Sequence, residues 1–192
     1  MLAAAPEDEL DRICGETLAS AALHSPADCG ISLRRLKRQA ALLIALCDLG
    51  QVWSVDEVTA ALTRFADAAL TAVVNALLRD AARRGRLTTA EEADPSLACG
   101  YVVLAMGKHG AHELNYSSDV DLIVLYDPER APLTPGVEPS NFFVRLTKDL
   151  VALLQDMNEH GYVFRVDLRL RPDPRATQIA IAIEAAGNYY ES

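Results

Sequence analysis

The residues best suited to chemistry lie in the second half of the chain. Ser118-Asp119-Val120-Asp121 sets two carboxylates two positions apart, just ahead of the apolar run Leu122-Ile123-Val124. Alternate residues of a strand share a face, so Asp119 and Asp121 are expected to project together. Like charges in a dry setting are costly unless a cation or a proton intervenes. Magnesium is the natural partner, because it takes hard oxygen ligands and keeps positions open for phosphate oxygens.

A later segment, YVFRVDLRLR, alternates strictly. Phe164, Val166, Leu168 and Leu170 fall on one face, and Arg165, Asp167, Arg169 and Arg171 on the other. A solvated strand face with weak surface ion pairs would read the same way. Beside the first acid pair, Asp167 is expected to be a third metal ligand. Arg169 and Arg171 are expected to bind anions, since a guanidinium fork matches phosphate geometry. Between these elements and the preceding strand lies Ala105-Met106-Gly107-Lys108-His109-Gly110. Glycines there would let backbone amides approach a phosphate, and Lys108 adds a point charge. Alone, such glycines more often mark a simple turn.

Positioning these groups requires a mixed region of strands and helices. GYVVLAM and DVDLIVLYD read as buried strands, YVFRVDLRLR as a third and QIAIAI as a fourth. Residues 131–139 hold three prolines and a glycine and predict a loop. A helix then begins at Ser140 or Asn141, with Phe142, Leu146, Leu150 and Leu153 on one side. Upstream, the pattern is helical. Pro6 with Glu7, Asp8 and Glu9 suits a first helical turn. HSPADCG predicts a break, and Ser32 a cap for a helix striped by Leu33, Leu36, Ala40, Leu43, Ile44 and Cys47 and ended by Gly50. Ser54 and Glu57 form a capping box before a long helix whose face carries Val55, Val58, Leu62, Phe65, Ala69, Val73 and Leu77. Gly85 can stop it, and RLTTAEEADPS reads as a polar connector. The expected fold is α+β, with a helical subdomain over residues 1–98 followed by a mixed sheet with helices over residues 99–192.

Composition narrows the function. The chain has 192 residues, with 27 Asp and Glu against 18 Lys and Arg. That balance argues against gripping a nucleic-acid backbone. MLAAAPEDEL lacks the basic start of a signal peptide, and no uncharged stretch reaches the roughly 20 apolar residues of a membrane span. Cys14, Cys29, Cys47 and Cys99 are too scattered for a metal knuckle or redox pair, and read as buried thiols in a reducing cytoplasm. His109 and His112 flank the glycine turn with no further nitrogen or thiol ligand nearby, so they are not counted as metal ligands. Trp53 is read as a packing residue, and Glu113 and Asn115 as residues that orient their loop.

A glycine turn, an Asp-x-Asp strand and a lone Asp on a later strand resemble the layout of the nucleotidyltransferase superfamily that includes polymerase β. More narrowly, AMGKHGAHELNYSSDVDLIVLYD resembles the GMGKxGxxELNxSSDxDLIFLYD signature of glutamine synthetase adenylyltransferases. GYVFRVDLRLRP resembles that family's GFVxRVDxRLRP segment, and LRRLKRQAALLIALCDLG its upstream helices. NYSSDVDL, RVDLRLRP and the tail NYYES follow the style of the family's N-terminal half. His109 stands where the family often has Leu, and Ala111 where it often has Gly. The chain stops at Ser192, ahead of the family's next Trp-Glu-Arg and Lys-Ala-Arg segments, and so reads as truncated.

The resemblance implies a polymerase-β-like core that removes AMP from a glutamine synthetase tyrosine by phosphorolysis, releasing ADP. It implies magnesium or manganese on Asp119, Asp121 and Asp167, with Gly107, Lys108 and Ser118 near a phosphate. ATP or ADP and phosphate would be substrates or products. Control through a PII nitrogen-signalling protein is implied for the family. Alternatives are adenylylation with ATP and an idle regulatory fragment. A dinucleotide-binding oxidoreductase is a further rival, since strand, A-x-G-x-x-G and Asp127 mimic that fingerprint. It is disfavoured because only seven residues separate Gly110 from Ser118, too few for the required helix.

Overall fold

A computed structural model describes residues 5–88, 94–97 and 99–191. The readings made on residues 1–4 and on residues 89–93 of the connector lie outside these. The fold is α+β: a helical scaffold and a small four-stranded mixed sheet.

Helix α1 (Pro6–Ala19) begins with proline and three acids in its first turn and runs into a short 3-10 turn, Ser20–Ala22. Helix α2 spans Pro26–Leu49. Its cap is Ser25, whose hydroxyl accepts from the Asp28 amide, and not the predicted Ser32, which lies inside the helix. The Ser-Pro pair wins because it supplies both a capping oxygen and a residue preset for the first turn. The stripe Leu33, Leu36, Ala40, Ile44 and Cys47 is buried, with Leu43 half-buried.

Helix α3 (Val55–Arg83) carries the expected capping box. It is long and apolar enough to cross a membrane by composition, yet 78% of its most apolar window is buried inside the protein. It is the central core helix, covered by α1 and α2. Trp53, just before it, is buried, and its indole nitrogen donates to Glu7 at 2.6 Å. All four cysteines are free and buried.

Strands β1 (Tyr101–Met106) and β2 (Val120–Tyr126) pair antiparallel, with Met106 opposite Asp121. Between them lies only helix α4 (Gly107–Gly110). An antiparallel return after one helical turn excludes the dinucleotide-binding βαβ unit, whose strands are parallel. Helix α5 (Pro139–Gln155) starts earlier than expected, because Glu138 caps it by accepting from the Ser140 and Asn141 amides. Its buried face is Phe142, Phe143, Leu146, Leu150 and Leu154.

The predicted third and fourth strands are much shorter than the alternation implied. Strand β3 is Val166–Asp167 and strand β4 is Ile181–Ala182, both parallel to β2. Beyond Asp167 the backbone turns away: the Arg169 amide bonds the Asp167 carboxylate at 2.8 Å, and Arg171 draws in the carbonyls of Leu168 and Pro174. Such local side-chain bonds compete with a sheet ladder. Ile183 opens helix α6 (Ile183–Tyr190) instead of extending β4. One continuous apolar core runs from α1 through α3 to β2 and α5.

Candidate active site

Strand β2 is buried on both faces through Leu122, Ile123 and Val124, so its start is fixed firmly. The parallel register sets Asp121 directly beside Asp167 on β3. Asp119 lies two residues before Asp121, at the head of the same strand. The two segments on which the acids were predicted are thus neighbours, although 46 positions separate Asp121 and Asp167 in sequence.

The three carboxylates differ in environment. Asp119 is exposed and paired with Arg165, whose other nitrogen donates to the Ser117 carbonyl at 2.7 Å. Asp167 takes the Arg169 guanidinium on both oxygens, at 3.0 and 2.9 Å from Nε. Arg169 therefore holds the Asp167 carboxyl below the usual carboxylate range. Asp121 is half-buried, and its side chain makes no hydrogen bond or ion pair among the described residues. Burial, then the charges of Asp167 and Asp119, push its carboxyl upward, against the pull of Arg169 and His109.

This donor set suits a hard divalent cation, being all oxygen and including an unpartnered carboxylate flanked by two more. Among the described residues no three His, Cys, Asp or Glu side chains are already gathered as a ligating cluster. The reason is visible in the pairing: Asp119 is turned to Arg165 and Asp167 to Arg169.

The glycine turn abuts this cluster. Gly107 has φ +54°, and a Cβ there would stand 2.5 Å from Asp121 Oδ2. Only glycine combines that backbone conformation with that approach. Lys108 is exposed, while His109 is buried and bonded through Nε2 to Asp67 of α3 at 2.8 Å. Ser118 donates to the Asn115 side chain at 2.9 Å, and Asn115 also accepts from the Ser117 amide, which makes it the organiser of the loop. Arg171 gives its guanidinium to backbone carbonyls of its own loop.

A cleft of about 590 Å³ opens beside the acids, within the range of small-molecule sites. Of the predicted residues, Asp119, Asp167 and Arg169 line it; Asp121, Gly107, Lys108, Ser118 and Arg171 do not. Arg165, Tyr162, Gln155 and Met157 also stand on the wall. Arg165 was legible as the residue two before Asp167 on the same alternating face. The other three carried no signal in sequence.

Both chemistry-bearing segments are fastened to the helices. The Tyr116 hydroxyl donates to Asp48 of α2, and the Leu114 amide to Thr63 of α3. Buried Arg34 of α2 donates to the carbonyls of Gly30, Asp156 and Gly161 at 2.6–2.8 Å, holding the segment that leads into β3.

A family model for glutamate-ammonia ligase adenylyltransferase matches residues 8–192. The chain belongs to this family. Among curated relatives, an enzyme of Xanthobacter autotrophicus is 53% identical over 97% of the chain and 19% of its own length. One from Bradyrhizobium sp. is 59% identical over 86% of the chain and 17% of the relative. One from Rhodopseudomonas palustris is 48% identical over the whole chain and 19% of the relative. All three are named bifunctional glutamine synthetase adenylyltransferase/adenylyl-removing enzymes. The chain spans about a fifth of the length of these relatives.

Proposed function

We propose that this chain carries an adenylyl-removing site that takes AMP from a tyrosine of glutamine synthetase. The observation that carries this reading is the β2–β3 register, which sets Asp167 beside Asp121 with Asp119 two residues upstream. The wording NYSSDVDL and RVDLRLRP, in the style of the family's N-terminal half, favours removal over addition of AMP.

In this reaction a phosphate oxygen attacks the α-phosphorus of adenylyl-tyrosine. The P–O bond to tyrosine breaks, and AMP leaves joined to the phosphate as ADP. The phenolate is a fair leaving group, with a pKa of about 10. Asp119, Asp121 and Asp167 would hold magnesium or manganese, which supplies charge neutralisation for the phosphoryl oxygens when bound. Arg165 and Arg169 stand on the cleft wall, where each can exchange its carboxylate for a phosphate oxygen. Lys108 on the exposed turn offers a further positive charge to the attacking anion. Arg171 and Ser118 act as loop organisers in this reading, through the bonds they already make. Glutamine synthetase would be the protein substrate, met in the cytoplasm. Control by a PII signalling protein would pass through other parts of a longer enzyme.

The test offers the chain adenylylated glutamine synthetase with phosphate and magnesium, and in parallel unmodified enzyme with ATP. ADP release in the first mixture is expected, and transfer of AMP in the second would reverse the direction assigned. Asp119→Asn should cost at least about 100-fold in turnover while leaving the fold intact, the scale of losing a charged group that acts on the transition state. Turnover near wild type would remove Asp119 from the mechanism.

A further inference from the structure

The acidic cluster rests on a turn that the helical scaffold holds by one buried side chain. His109 is 1% exposed and sits two residues after Gly107, whose backbone is pressed against the Asp121 carboxylate. Its Nε2 faces the Asp67 carboxylate at 2.8 Å, and its buried Nδ1 has no partner among the described residues. With Nε2–H donating to Asp67, Nδ1 is left as a buried acceptor without a donor among the described residues, which is unfavourable. A leucine of similar volume would fill the space without that orphan nitrogen. What the imidazole adds is the bond to Asp67, a residue of α3 that is 42 positions away.

The rest of the segment is tied to the scaffold in the same sense. The Ala111 amide closes on Gly107 and the Glu113 amide on Lys108, so the turn is a rigid unit. Leu114 and Tyr116 then bond Thr63 and Asp48. His109 is the only one of these ties that enters the turn beside Asp121. Its ring is two residues from Gly107, whose backbone lies against that carboxylate.

We propose that His109, anchored by Asp67, is a positioning residue: it holds the glycine turn against Asp121 and so sets how tightly the acidic cluster takes a magnesium–nucleoside diphosphate. This rests on the phosphoryl-transfer reading of the site. It touches neither substrate nor metal and acts only through the turn.

The test measures magnesium–ADP binding to the full 192-residue chain by calorimetry, with thermal unfolding recorded for each variant. Asp67 is about half exposed, so Asp67→Ala removes the anchor without opening the core. Asp67→Ala and His109→Leu are each expected to weaken binding by about 3- to 10-fold, the range for loss of one hydrogen bond. His109→Gln keeps a side-chain N–H for Asp67 and is expected to bind within about 2-fold of wild type by the same measure. Nitrogen NMR of the ring is expected to show the proton on Nε2. A proton on Nδ1 overturns the proposed anchor. Wild-type affinity in Asp67→Ala and His109→Leu, with weakened binding in Asp121→Asn, overturns the positioning role and leaves the site standing. Unchanged binding in Asp121→Asn, or no binding by the wild-type chain, overturns the reading of the site and this role with it.

Discussion

Replacing Gly107 by alanine separates two effects that most substitutions mix. The backbone there has φ +54°, a region that costs an L-residue about 1–2 kcal/mol. In a domain of this size such a loss lowers the melting temperature by about 2–8 °C. The new Cβ would stand 2.5 Å from Asp121 Oδ2, whereas ordinary contact begins at 3.4 Å. The oxygen must therefore move by the difference, about 0.9 Å. Because it is the free end of a side chain, that movement adds little to the stability cost. Catalysis is far less tolerant: a misplacement of about 1 Å can cost on the order of 100-fold. Gly85→Ala is the control, since Gly85 has φ +66° and open space around its would-be Cβ. The two variants should melt alike, and only Gly107→Ala should lose phosphate-dependent ADP release. Activity within about threefold of wild type in Gly107→Ala, against that expected 100-fold loss, would show that Asp121 is not where the chemistry happens.

Further expectations concern the scaffold. Ser54→Ala removes the hydroxyl half of the α3 capping box, leaving the backbone amide of residue 54 to the Glu57 carboxylate, and should cost about 1 kcal/mol, read as a fall in the denaturation midpoint without a change in slope. Burial and the Asp48 carboxylate push the Tyr116 phenol up to about 12 from 10.0, so above pH 10 the unfolded chain loses its proton first. Stability should then decline from pH 10 and level off near 12, and Tyr116→Phe should flatten that decline. An ultraviolet titration showing Tyr116 ionising at its ordinary value would contradict this.

The sequence spoke most clearly where local chemistry decides structure. Ser54 and Glu57 cap α3 through bonds three residues apart, so no distant partner was needed to foresee them. Strand β2 was legible because its apolar run is buried; β1 forms where its apolar run predicted a strand, but as a largely uncovered one, with Val102 and Leu104 exposed. Failures came where two local rules competed. Ser25-Pro26 outbid Ser32 as the start of α2. The alternation from Tyr162 to Arg171 promised a long strand, but Asp167 bonds its own Arg169 amide and ends the ladder. QIAIAI alternates too, yet Ile183 turns into α6. At the candidate site, the acids were readable by type and spacing, whereas the cleft wall was not. Gln155 ends α5, and Met157 and Tyr162 lie on the segment joining α5 to β3, whose path no residue pattern announces. Asp67 was equally silent, being one polar residue on a long helix until His109 is seen beside it.

The two arginines that frame this region respond oppositely to their surroundings. Arg34 is sealed among three carbonyls and makes no ion pair among the described residues, so dissolved ions have little access to it. The Arg165–Asp119 pair is about half exposed and is open to screening within a Debye length of about 8 Å at physiological ionic strength. Raising salt should thus free the Asp119 carboxylate while the strut beneath β3 stays in place. The platform is built to be indifferent to ionic strength, and the group standing on it is not.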